Sequence, residues 1–358
     1  MLTPSIWQNR SVFVTGHTGF KGSWLALWLY QLQAKLWGYA LQPPTVPNLF
    51  EVAQVKSCLQ ADIRADINDL GTLQEALNTA QPEIVFHLAA QPLVRESYVN
   101  PVSTFATNVM GTAHLLEAVR SLDSVRAVVI ITTDKVYENR EWLYPYREID
   151  PLGGYDPYSA SKAAAELVTS SYYRSFFTGR SVGIATARAG NVVGGGDWAT
   201  DRLIPDCLRS FEKGQPVTLR YPQAIRPWQH VLEPLAGYLL LAENLFTDPE
   251  SYSQSWNFGP DSRDEARVLE VAKMMAELWG EGVQVNAEVL NEQPHEAGLL
   301  KLDTTQAQHH LGWRPRWSIQ QALLATVEWQ KFWLMGREMN HFCLEQINHY
   351  VTTDIYLT

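Results

Sequence analysis

Short apolar runs alternate with longer stretches of helical periodicity through the first half of the chain. The apolar runs predict strands at 11–15, 36–41, 83–88 and 127–132, and the periodic stretches predict helices at 70–80 and 105–122. Runs that are apolar on both sides are typical of parallel strands covered by helices on both faces. The pattern therefore predicts an α/β fold with a doubly wound parallel sheet of the Rossmann type. We expect the strand order to reverse beside the first strand, with a ligand at the carboxyl ends.

The pattern changes after Arg188, where glycines and loops dominate up to Trp198. The remaining chain predicts helices at 202–213, 231–245, 268–279 and 304–311, a last strand at 256–259 and a loop at 226–230. These elements belong alternately to the sheet and to a smaller mixed C-terminal lobe. The interleaving predicts one domain of residues 1–187 plus about 231–260, and a second lobe of 188–230 plus 261–340. Residues 341–358 are expected to form a tail that is disordered over 352–358.

Composition narrows the class of protein. Of the 358 residues, 46% are hydrophobic and 18% are charged, which is an ordinary balance for a globular protein with a large core. The formal charge of -10 argues against a nucleic-acid surface, so cations that bind an anionic ligand must be local. Cys58, Cys207 and Cys343 form no CxxC pair, which favours reduced thiols in a cytoplasmic protein. We expect no signal segment, no membrane span and no metal site.

Three glycines follow the first predicted strand at a spacing that suits a dinucleotide. Gly16, Gly19 and Gly22 lie between the strand at 11–15 and an apolar helix that begins near Ser23. Glycines permit a tight turn and let backbone N–H groups approach a pyrophosphate, to which the helix adds its positive N-terminus. The first domain is therefore expected to bind a dinucleotide.

The identity of the dinucleotide depends on the end of the second predicted strand. That strand ends in Ala40-Leu41-Gln42-Pro43, with neither the acid typical of NAD sites nor an Arg for a 2′-phosphate. These residues therefore leave NAD and NADP open. Asp66 and Ile67 either bracket the adenine or cap the next helix. The expected cofactor-binding residues are Gly16, Thr18, Gly19, Phe20, Gly22, Asp66, Ile67, Leu88, Ala89, Ala90, Thr107, Tyr158 and Lys162.

Tyr158 and Lys162 are four residues apart, so on a helix their side chains lie on one face. A phenolate at pH 7 requires a pKa shift of about 3 units, or roughly 4 kcal/mol. One ammonium about 4 Å away supplies about that much at an effective dielectric of about 20. Together with a positive nicotinamide, the pair predicts a tyrosine base for redox chemistry at a carbon that bears a hydroxyl group. The alternative is a pair of surface residues on a helix.

Thr133, Asp134 and Lys135 follow the last of the early apolar runs. Thr133 is expected to hydrogen-bond the substrate oxygen that Tyr158 deprotonates. A reductase or an epimerase needs only Thr133, Tyr158 and Lys162, so the adjacent acid and base predict that a second bond is broken. The alternatives are a solvated turn and a hydroxyl group at the end of a strand.

These motifs resemble those of the extended short-chain dehydrogenase/reductase family, and within it the nucleotide-sugar 4,6-dehydratases that act on CDP-glucose. The resemblance covers nearly the whole chain. Its segments are 16–24, 87–95, 107–112, 188–198 and 225–231, of which the last two are the most specific. Related dTDP- and GDP-sugar dehydratases carry Glu at the position of Lys135. The match is weaker at 298–300 and after Met339.

The resemblance implies conversion of CDP-D-glucose to CDP-4-keto-6-deoxy-D-glucose, a step of 6-deoxy and dideoxy sugar biosynthesis. It implies that Tyr158 takes the proton of the sugar 4-hydroxyl while a hydride leaves C4 for a tightly bound NAD. A base then removes the C5 proton, Asp134 protonates the departing 6-hydroxyl, and the hydride returns to C6. Lys135 is by position the C5 base, although it instead stabilises the enolate if another group is the base. A homodimer or homotetramer is implied as well.

The diphosphate of such a substrate requires local cations, for which Arg202 and Arg226 are the candidates. The second lobe is therefore expected to bind the nucleotide sugar. The expected substrate-binding residues are Gln91, Asn191, Asp197, Arg202, Leu203, Arg226, Gln229, His230, His295 and Glu296.

Two other functions are compatible with these motifs. A nucleotide-sugar 4-epimerase or reductase of the same fold would use Thr133, Tyr158 and Lys162, and would leave Asp134 and Lys135 idle. A non-catalytic dinucleotide-binding scaffold is the third interpretation, and the intact Tyr158 and Lys162 count against it.

Overall fold

The computed structural model describes residues 2–219, 221–280, 282–286 and 299–354. Seven strands form the central sheet, and the shorter strands pair with one another outside it. The strands are β1 (Ser11–Thr15), β2 (Lys35–Ala40), β3 (Ala61–Arg64), β4 (Ile84–His87), β5 (Ala127–Ile131), β6 (Gly183–Ala189), β7 (Val192–Val193), β8 (Val217–Thr218), β9 (Ile225–Pro227), β10 (Gln229–His230), β11 (Ser255–Phe258), β12 (Glu265–Arg267) and β13 (Val285–Asn286).

Helices of very different length connect these strands. The α-helices are α1 (Pro4–Trp7), α2 (Phe20–Gln31), α3 (Leu49–Val52), α4 (Leu70–Ala80), α5 (Val94–Val99), α6 (Pro101–Phe105), α7 (Gly111–Arg120), α8 (Pro157–Tyr172), α9 (Leu203–Glu212), α10 (Leu232–Thr247), α11 (Pro249–Tyr252), α12 (Val268–Trp279), α13 (Thr305–His310), α14 (Ile319–Leu334) and α15 (Met339–Thr352). A π-helical segment, Ala106–Met110, joins α6 to α7, and a second, Tyr173–Phe177, continues α8. Short 3-10 helices lie at Val55–Cys58, Asp134–Val136 and Ser262–Asp264.

The central sheet is parallel and has the strand order β11-β6-β5-β4-β1-β2-β3. The chain order reverses between β1 and β4, so the predicted doubly wound sheet and the place of its reversal are confirmed. At this reversal the carboxyl ends of neighbouring strands diverge and leave a crevice. Each strand predicted in the first half of the chain begins and ends within about one residue of an observed strand.

Helices cover the two faces of the sheet, and the strand side chains alternate between them. Val12 and Val14 of β1 belong to a core shared with α2 and α10, whereas Phe13 points to the other face. On that second face α4, α7 and α8 pack around Leu115 and Val119. The strands are therefore buried on both sides, which explains why they are apolar throughout.

The second lobe has a hydrophobic core of its own. Helices α9, α12 and α14 pack together around Leu208, Val271, Met275 and Leu323. This arrangement holds the loops that follow β6 and β8 over the carboxyl edge of the central sheet.

The structure differs from the sequence prediction at the loop of residues 226–230 and at the C-terminal tail. The loop predicted at 226–230 contains β9 and β10, because β9 pairs antiparallel with β12 and β10 pairs parallel with β7. These backbone partners are distant in sequence, so local pattern does not reveal them. The predicted tail begins with most of α15, which packs against α2 and buries Cys343, Ile347 and Tyr350. Thr353 also accepts a hydrogen bond from Trp317 Nε1 at 3.2 Å, so the order extends beyond 352.

Within the described ranges, the helices are all too short or too polar to cross a membrane. In the same part of the chain no three His, Cys, Asp or Glu side chains are grouped to hold a metal ion. The three cysteines are buried free thiols.

Candidate active site

The glycine loop joins β1 to α2 at the carboxyl edge of the sheet. Gly16 has a φ of +76°, and a Cβ at this position would lie 2.7 Å from backbone atoms of Leu88 and Ala89. A Cβ on Gly22 would lie 2.2 Å from the carbonyl oxygen of Gly16. A Cβ on Gly19 would meet that oxygen at 3.4 Å, an uncrowded distance. Gly16 and Gly22 therefore permit the close packing of the turn, and Gly19 leaves room at the N-terminus of α2.

A buried histidine, His87, holds the strand end from which this loop begins. His87 Nδ1 lies 2.8 Å from Thr15 Oγ1, and its Nε2 lies 3.3 Å from Thr112 Oγ1. The backbone N–H of Ala89 donates to the same Thr15 hydroxyl at 3.2 Å. Burial lowers the pKa of His87 to about 3, so the ring is neutral at physiological pH. The ends of β1 and β4 and the helix α7 are thereby held in fixed relation.

The π-helical segment Ala106–Met110 directs Asn108 toward the loop after β4. Asn108 Oδ1 accepts from the N–H of Gln91 at 2.9 Å, and its Nδ2 donates to the carbonyl of Gln91 at 3.1 Å and to Ser161 Oγ at 2.8 Å. The loop is thus tied to α8 one residue before Lys162. π-Helical turns occur frequently at functional sites. The sequence predicts one regular helix at 105–122, because periodicity does not register a single wide turn.

Thr133 connects the side chains of Asp134 and Tyr158. Its Oγ1 donates to Asp134 Oδ1 at 2.9 Å, bonds to the side chain of Tyr158, and accepts from the N–H of Lys135 at 3.4 Å. Asp134 is only 2% exposed. Burial raises the pKa of Asp134, against the opposing effects of Lys135, Thr133 and Arg226. A carboxyl group whose pKa is raised in this way is suited to act as a general acid.

Tyr158 and Lys162 lie on the first two turns of α8, which begins at Pro157 after the N-cap residue Asp156. Burial raises the pKa of Tyr158 to about 12, although the hydrogen bond with Thr133 lowers it. The lowered pKa predicted from the sequence requires a positive nicotinamide as well as Lys162, and it stays a prediction. Burial lowers the pKa of Lys162 to about 8, against the opposing charge of Glu166.

The position of the Lys162 ammonium explains why the pKa of Tyr158 is raised despite the nearby lysine. Lys162 Nζ donates to the carbonyl oxygen of Ile131 at 3.0 Å, at the end of β5. Lys162 alone therefore does not convert Tyr158 to a phenolate, and a further positive charge beside the hydroxyl is required.

A buried ion pair lies directly behind Lys162. Glu166, one turn further along α8, binds Arg188 of β6 through both carboxylate oxygens, at 2.8 and 3.0 Å. Burial alone would raise the pKa of Glu166, but the Arg188 guanidinium and the hydroxyls of Thr132 and Thr186 hold it below its usual range. The network fixes α8 against β5 and β6, and hence the position of Lys162.

One cavity of about 680 Å³ lies at the carboxyl edge of the sheet, between the glycine loop and the side chains of Thr133, Asp134, Tyr158 and Lys162. All the catalytic and cofactor-binding residues predicted from the sequence line it. They are Gly16, Thr18, Gly19, Phe20, Gly22, Asp66, Ile67, Leu88, Ala89, Ala90, Thr107, Thr133, Asp134, Lys135, Tyr158 and Lys162. Five residues predicted to bind substrate line it as well, namely Asn191, Asp197, Arg202, Leu203 and Arg226. The fold thus brings together residues that are up to about 200 positions apart in the chain.

Three residues predicted to bind substrate do not line this cavity. The side chain of Gln91 bonds to the backbone of Leu93 and to Thr104 Oγ1 at 2.8 Å, so it holds its own loop. Gln229 Nε2 donates to the carbonyl of Phe258 at 3.0 Å, which joins the second lobe to β11. The structure corrects these assignments, because each side chain is committed to a structural contact.

His230 is the third of these residues. It is fully buried between the rings of Trp24 and Trp317, and its Nδ1 accepts from the N–H of Leu232 at 3.3 Å. Burial lowers its pKa to about 3, so it has no positive charge to offer a diphosphate. His295 and Glu296 lie outside the described residues.

Arg202 and Arg226 bring positive charge from the second lobe. Arg202 Nη1 lies 3.0 Å from Asp197 Oδ2, and Asp197 in turn accepts from the N–H of Ala199 at 3.0 Å. Asp197 therefore orients Arg202. Arg226 is 7% exposed and lies close enough to Asp134 to lower the pKa of that carboxyl group.

Two roles are predicted for Asp66, adenine binding and capping of the next helix, and the hydrogen bonds at the start of α4 decide between them. The N-cap of α4 is Asp69, which accepts from the N–H of Thr72 at 3.0 Å. Asp66 instead accepts from Asn68 and lines the cavity beside Ile67. The helix-cap alternative for Asp66 is therefore excluded. At the end of β2, Leu41 and Gln42 line the same cavity without a carboxylate.

Several lining residues have no counterpart among the sequence predictions. Leu219, Tyr221, Trp228 and Val268 form an apolar end of the cavity in the second lobe. Lys21 lies in the glycine loop motif itself, but reasoning from the spacing of glycines gives its side chain no role. Only its charge inside an otherwise small and apolar motif could have indicated it.

Comparison with known proteins places the chain among enzymes of nucleotide-sugar metabolism. The profile of the GDP-mannose 4,6 dehydratase family matches residues 13–326. The chain is 50% identical to CDP-glucose 4,6-dehydratase of Salmonella typhimurium over 357 residues, which cover 98% of this chain and 99% of that protein. It is 27% identical to dTDP-glucose 4,6-dehydratase of Haemophilus influenzae over 75% of this chain and 82% of the relative.

Solved structures show the same fold. The crystal structure of dTDP-glucose 4,6-dehydratase from Bacillus anthracis, in complex with NAD, superposes with a TM-score of 0.74 at 21% identity, covering 90% of this chain and 96% of the other. UDP-glucose-4-epimerase from Stenotrophomonas maltophila, with bound NAD, superposes with a TM-score of 0.79 at 21% identity, covering 91% and 99%. Dehydratases and epimerases thus share this architecture, and the fold alone does not separate the two activities.

Proposed function

The chain belongs to the GDP-mannose 4,6 dehydratase family, and from that premise we propose that it converts CDP-D-glucose to CDP-4-keto-6-deoxy-D-glucose with NAD as cofactor. The choice of CDP-glucose follows from the relative that is 50% identical over 98% of the chain. The alternative is a 4-epimerase or reductase of the same fold. The observation that favours a dehydratase is the buried Asp134, bonded through Thr133 to Tyr158.

The protein residues have separate tasks in this reaction. NAD, when bound, supplies the oxidising ring that accepts a hydride from sugar C4 and later returns it to C6. Tyr158 takes the proton of the 4-hydroxyl, and Thr133 holds the oxygen that becomes the ketone. Asp134 gives a proton to the 6-hydroxyl, so that water leaves as the C5 proton is removed. We assign removal of the C5 proton, and its later return, to a group on the side of the cavity where Lys135 lies.

The residues around the cavity fit a dinucleotide. Gly19 leaves space at the positive N-terminus of α2, which suits a pyrophosphate. Asp66 and Ile67 line the crevice at its adenosine end. NAD is preferred over NADP because Arg64, which reaches the end of β2 through a hydrogen bond to the carbonyl of Leu41, is paired with Asp62. The substrate diphosphate is assigned to Arg202 and Arg226.

The apolar end of the cavity suits the pyrimidine base of the substrate. Trp228 and Tyr221 offer aromatic surfaces, and Leu219 and Val268 complete the lining. Trp228 lies two residues after Arg226, and Arg202 and Tyr158 line the same cavity, so one extended nucleotide sugar would reach from the base site to Tyr158.

The proposal is tested by incubating the purified protein with CDP-glucose and separating the products. We expect a CDP-4-keto-6-deoxyhexose, detected by mass and by its absorbance in alkali. CDP-galactose without a keto product would establish the epimerase alternative instead. UDP-, dTDP- and GDP-glucose, run in parallel, test the assignment of the base.

The role of Asp134 gives a separate prediction. Asp134→Asn keeps the shape of the side chain but removes the proton that the 6-hydroxyl receives, so we expect kcat to fall by about 10²-fold. Substrate affinity should change by less than threefold, because the diphosphate and base contacts are untouched. Titration calorimetry and product assays measure the two quantities. An unchanged kcat would show that another group is the acid.

We also propose that the protein is a cytoplasmic homo-oligomer. Its three free thiols are consistent with a reducing compartment. The helices after β4 and β5 carry exposed apolar side chains, at Val99, Val102, Met110 and Leu167. A second copy of the chain is the proposed occupant. Sedimentation velocity should show at least twice the mass of the chain, and Val102→Asp should reduce it to one chain. A monomeric wild-type protein would contradict the assignment.

A further inference from the structure

A second lysine faces the reaction centre without a role in the reaction described above. Lys21 is the second residue of α2, directly after the glycine loop, and it lines the cavity. Its Nζ lies 3.4 Å from the hydroxyl oxygen of Tyr238 and 5.7 Å from the centroid of that ring. A cation in the first turn of a helix opposes the helix dipole, so this location requires an explanation.

Lys21 and Lys162 enter the cavity from opposite faces of the sheet. Helices α2 and α10, which carry Lys21 and Tyr238, share one core with the sheet. Helix α8, which carries Tyr158 and Lys162, packs on the other face with α4 and α7. Both lysines therefore line the cavity that contains Tyr158, one from each face of the sheet.

The charged groups that face Lys21 come from three further elements. Lys162 of α8 and Arg202 at the start of α9 are cations, and Asp134 after β5 is the carboxyl group among the charges that act on it. Tyr158 and Tyr238 contribute phenols whose pKa values burial raises, so both are neutral. Burial, with smaller contributions from Arg202 and Lys162, lowers the pKa of Lys21 to about 7 against the opposing effect of Asp134.

We propose that Lys21 sets the balance between the oxidised and reduced forms of the bound dinucleotide. This inference rests on the proposed function. The oxidised nicotinamide ring carries a positive charge and the reduced ring carries none. A charged Lys21 across the cavity from Lys162 therefore disfavours the oxidised form relative to the reduced form. The dinucleotide must stay reduced from the time the hydride leaves C4 until it returns to C6. The charge of Lys21 stabilises the protein with the reduced dinucleotide bound.

The pH dependence follows from the charge of Lys21. At pH 6 the side chain is mostly protonated and repels the oxidised ring, whereas at pH 8.5 it is mostly neutral. The ratio of the dissociation constants of NAD⁺ and NADH should therefore fall as pH rises. For one coupled proton the ratio changes by at most about tenfold for each pH unit. The pyrophosphate is common to both ligands, so its contacts cancel in this ratio.

The experiment measures the dissociation constants of NAD⁺ and NADH at pH 6 and pH 8.5, by tryptophan fluorescence, for the purified full-length protein freed of cofactor. The wild-type ratio should fall about tenfold between these pH values. Lys21→Met should lower the ratio at pH 6 and remove most of its fall with pH, and Lys21→Arg should keep the ratio high at pH 8.5. The smaller fall that remains in both variants belongs to Lys162, whose pKa is about 8. Lys35→Met, at an exposed lysine of β2, is the matched control and should behave as the wild type.

The outcomes separate this inference from the proposed function. If Lys21→Met weakens both dinucleotides equally and leaves the ratio and its pH dependence unchanged, Lys21 is only a phosphate ligand and the inference is wrong. A wild-type protein that forms the keto sugar but shows that result retains its proposed function. A wild-type protein that binds neither dinucleotide overturns the proposed function and the inference together.

Discussion

Replacement of Tyr158 by Phe should lower kcat by about 10²- to 10⁴-fold, because general-base catalysis contributes that much. The phenol is the group that takes the proton of the 4-hydroxyl, and it lies in hydrogen-bonding contact with Thr133. Phe fits the same buried space, so the fold and the cavity should be retained. Product formation from CDP-glucose is the measurement, with thermal unfolding as a check on the fold.

The chain offers a matched control for this substitution. Tyr144 is 74% exposed and does not line the cavity, so Tyr144→Phe should leave kcat within about twofold of the wild type. If Tyr158→Phe retained a tenth or more of the activity, the proton would have to leave by another route, and the assigned role of Tyr158 would be wrong.

The second large effect concerns stability. Glu166→Gln should lower the free energy of unfolding by about 3 to 5 kcal/mol, because it leaves the buried Arg188 guanidinium without its counter-charge. Both side chains are only 3% exposed, so water cannot compensate. The shape of the side chain is conserved, so the loss reports charge and hydrogen bonding. Urea unfolding of the wild type and the variant measures the difference.

A double variant separates the ion pair from its surroundings. Glu166→Met with Arg188→Met removes both charges, and it should recover most of the stability that Glu166→Gln loses. Its activity should remain reduced, because Lys162 lies one turn from position 166 and loses the charge that opposes the lowering of its pKa. Equal stability of the single variant and the wild type would show that the ion pair does not hold α8 in place.

The architecture followed from the sequence because its determinants are local. Apolar strands buried on both faces have a recognisable composition, and the glycine loop requires the close approaches seen at Gly16 and Gly22. The edge at which Tyr158 and Asp134 meet follows from the parallel topology, in which the carboxyl ends of all strands lie together.

The failures of the sequence predictions have the opposite cause. Gln229 and His230 share a motif with Arg226, but β10 turns their side chains into the core while Arg226 lines the cavity. Such orientation depends on pairing with β7, which no local pattern contains. Spacing likewise places Tyr158 and Lys162 on one face of α8 without fixing the hydrogen bond that Lys162 Nζ makes to the carbonyl of Ile131.

The most direct test of the account follows one hydrogen atom through the reaction. CDP-glucose carrying deuterium at C4 is converted by the purified protein, and the product is examined by NMR and mass spectrometry. The account predicts that the deuterium is found at C6 of the 4-keto-6-deoxy sugar, because one cavity removes the hydride and returns it. Deuterium that is lost to solvent, or that stays at C4, would contradict it.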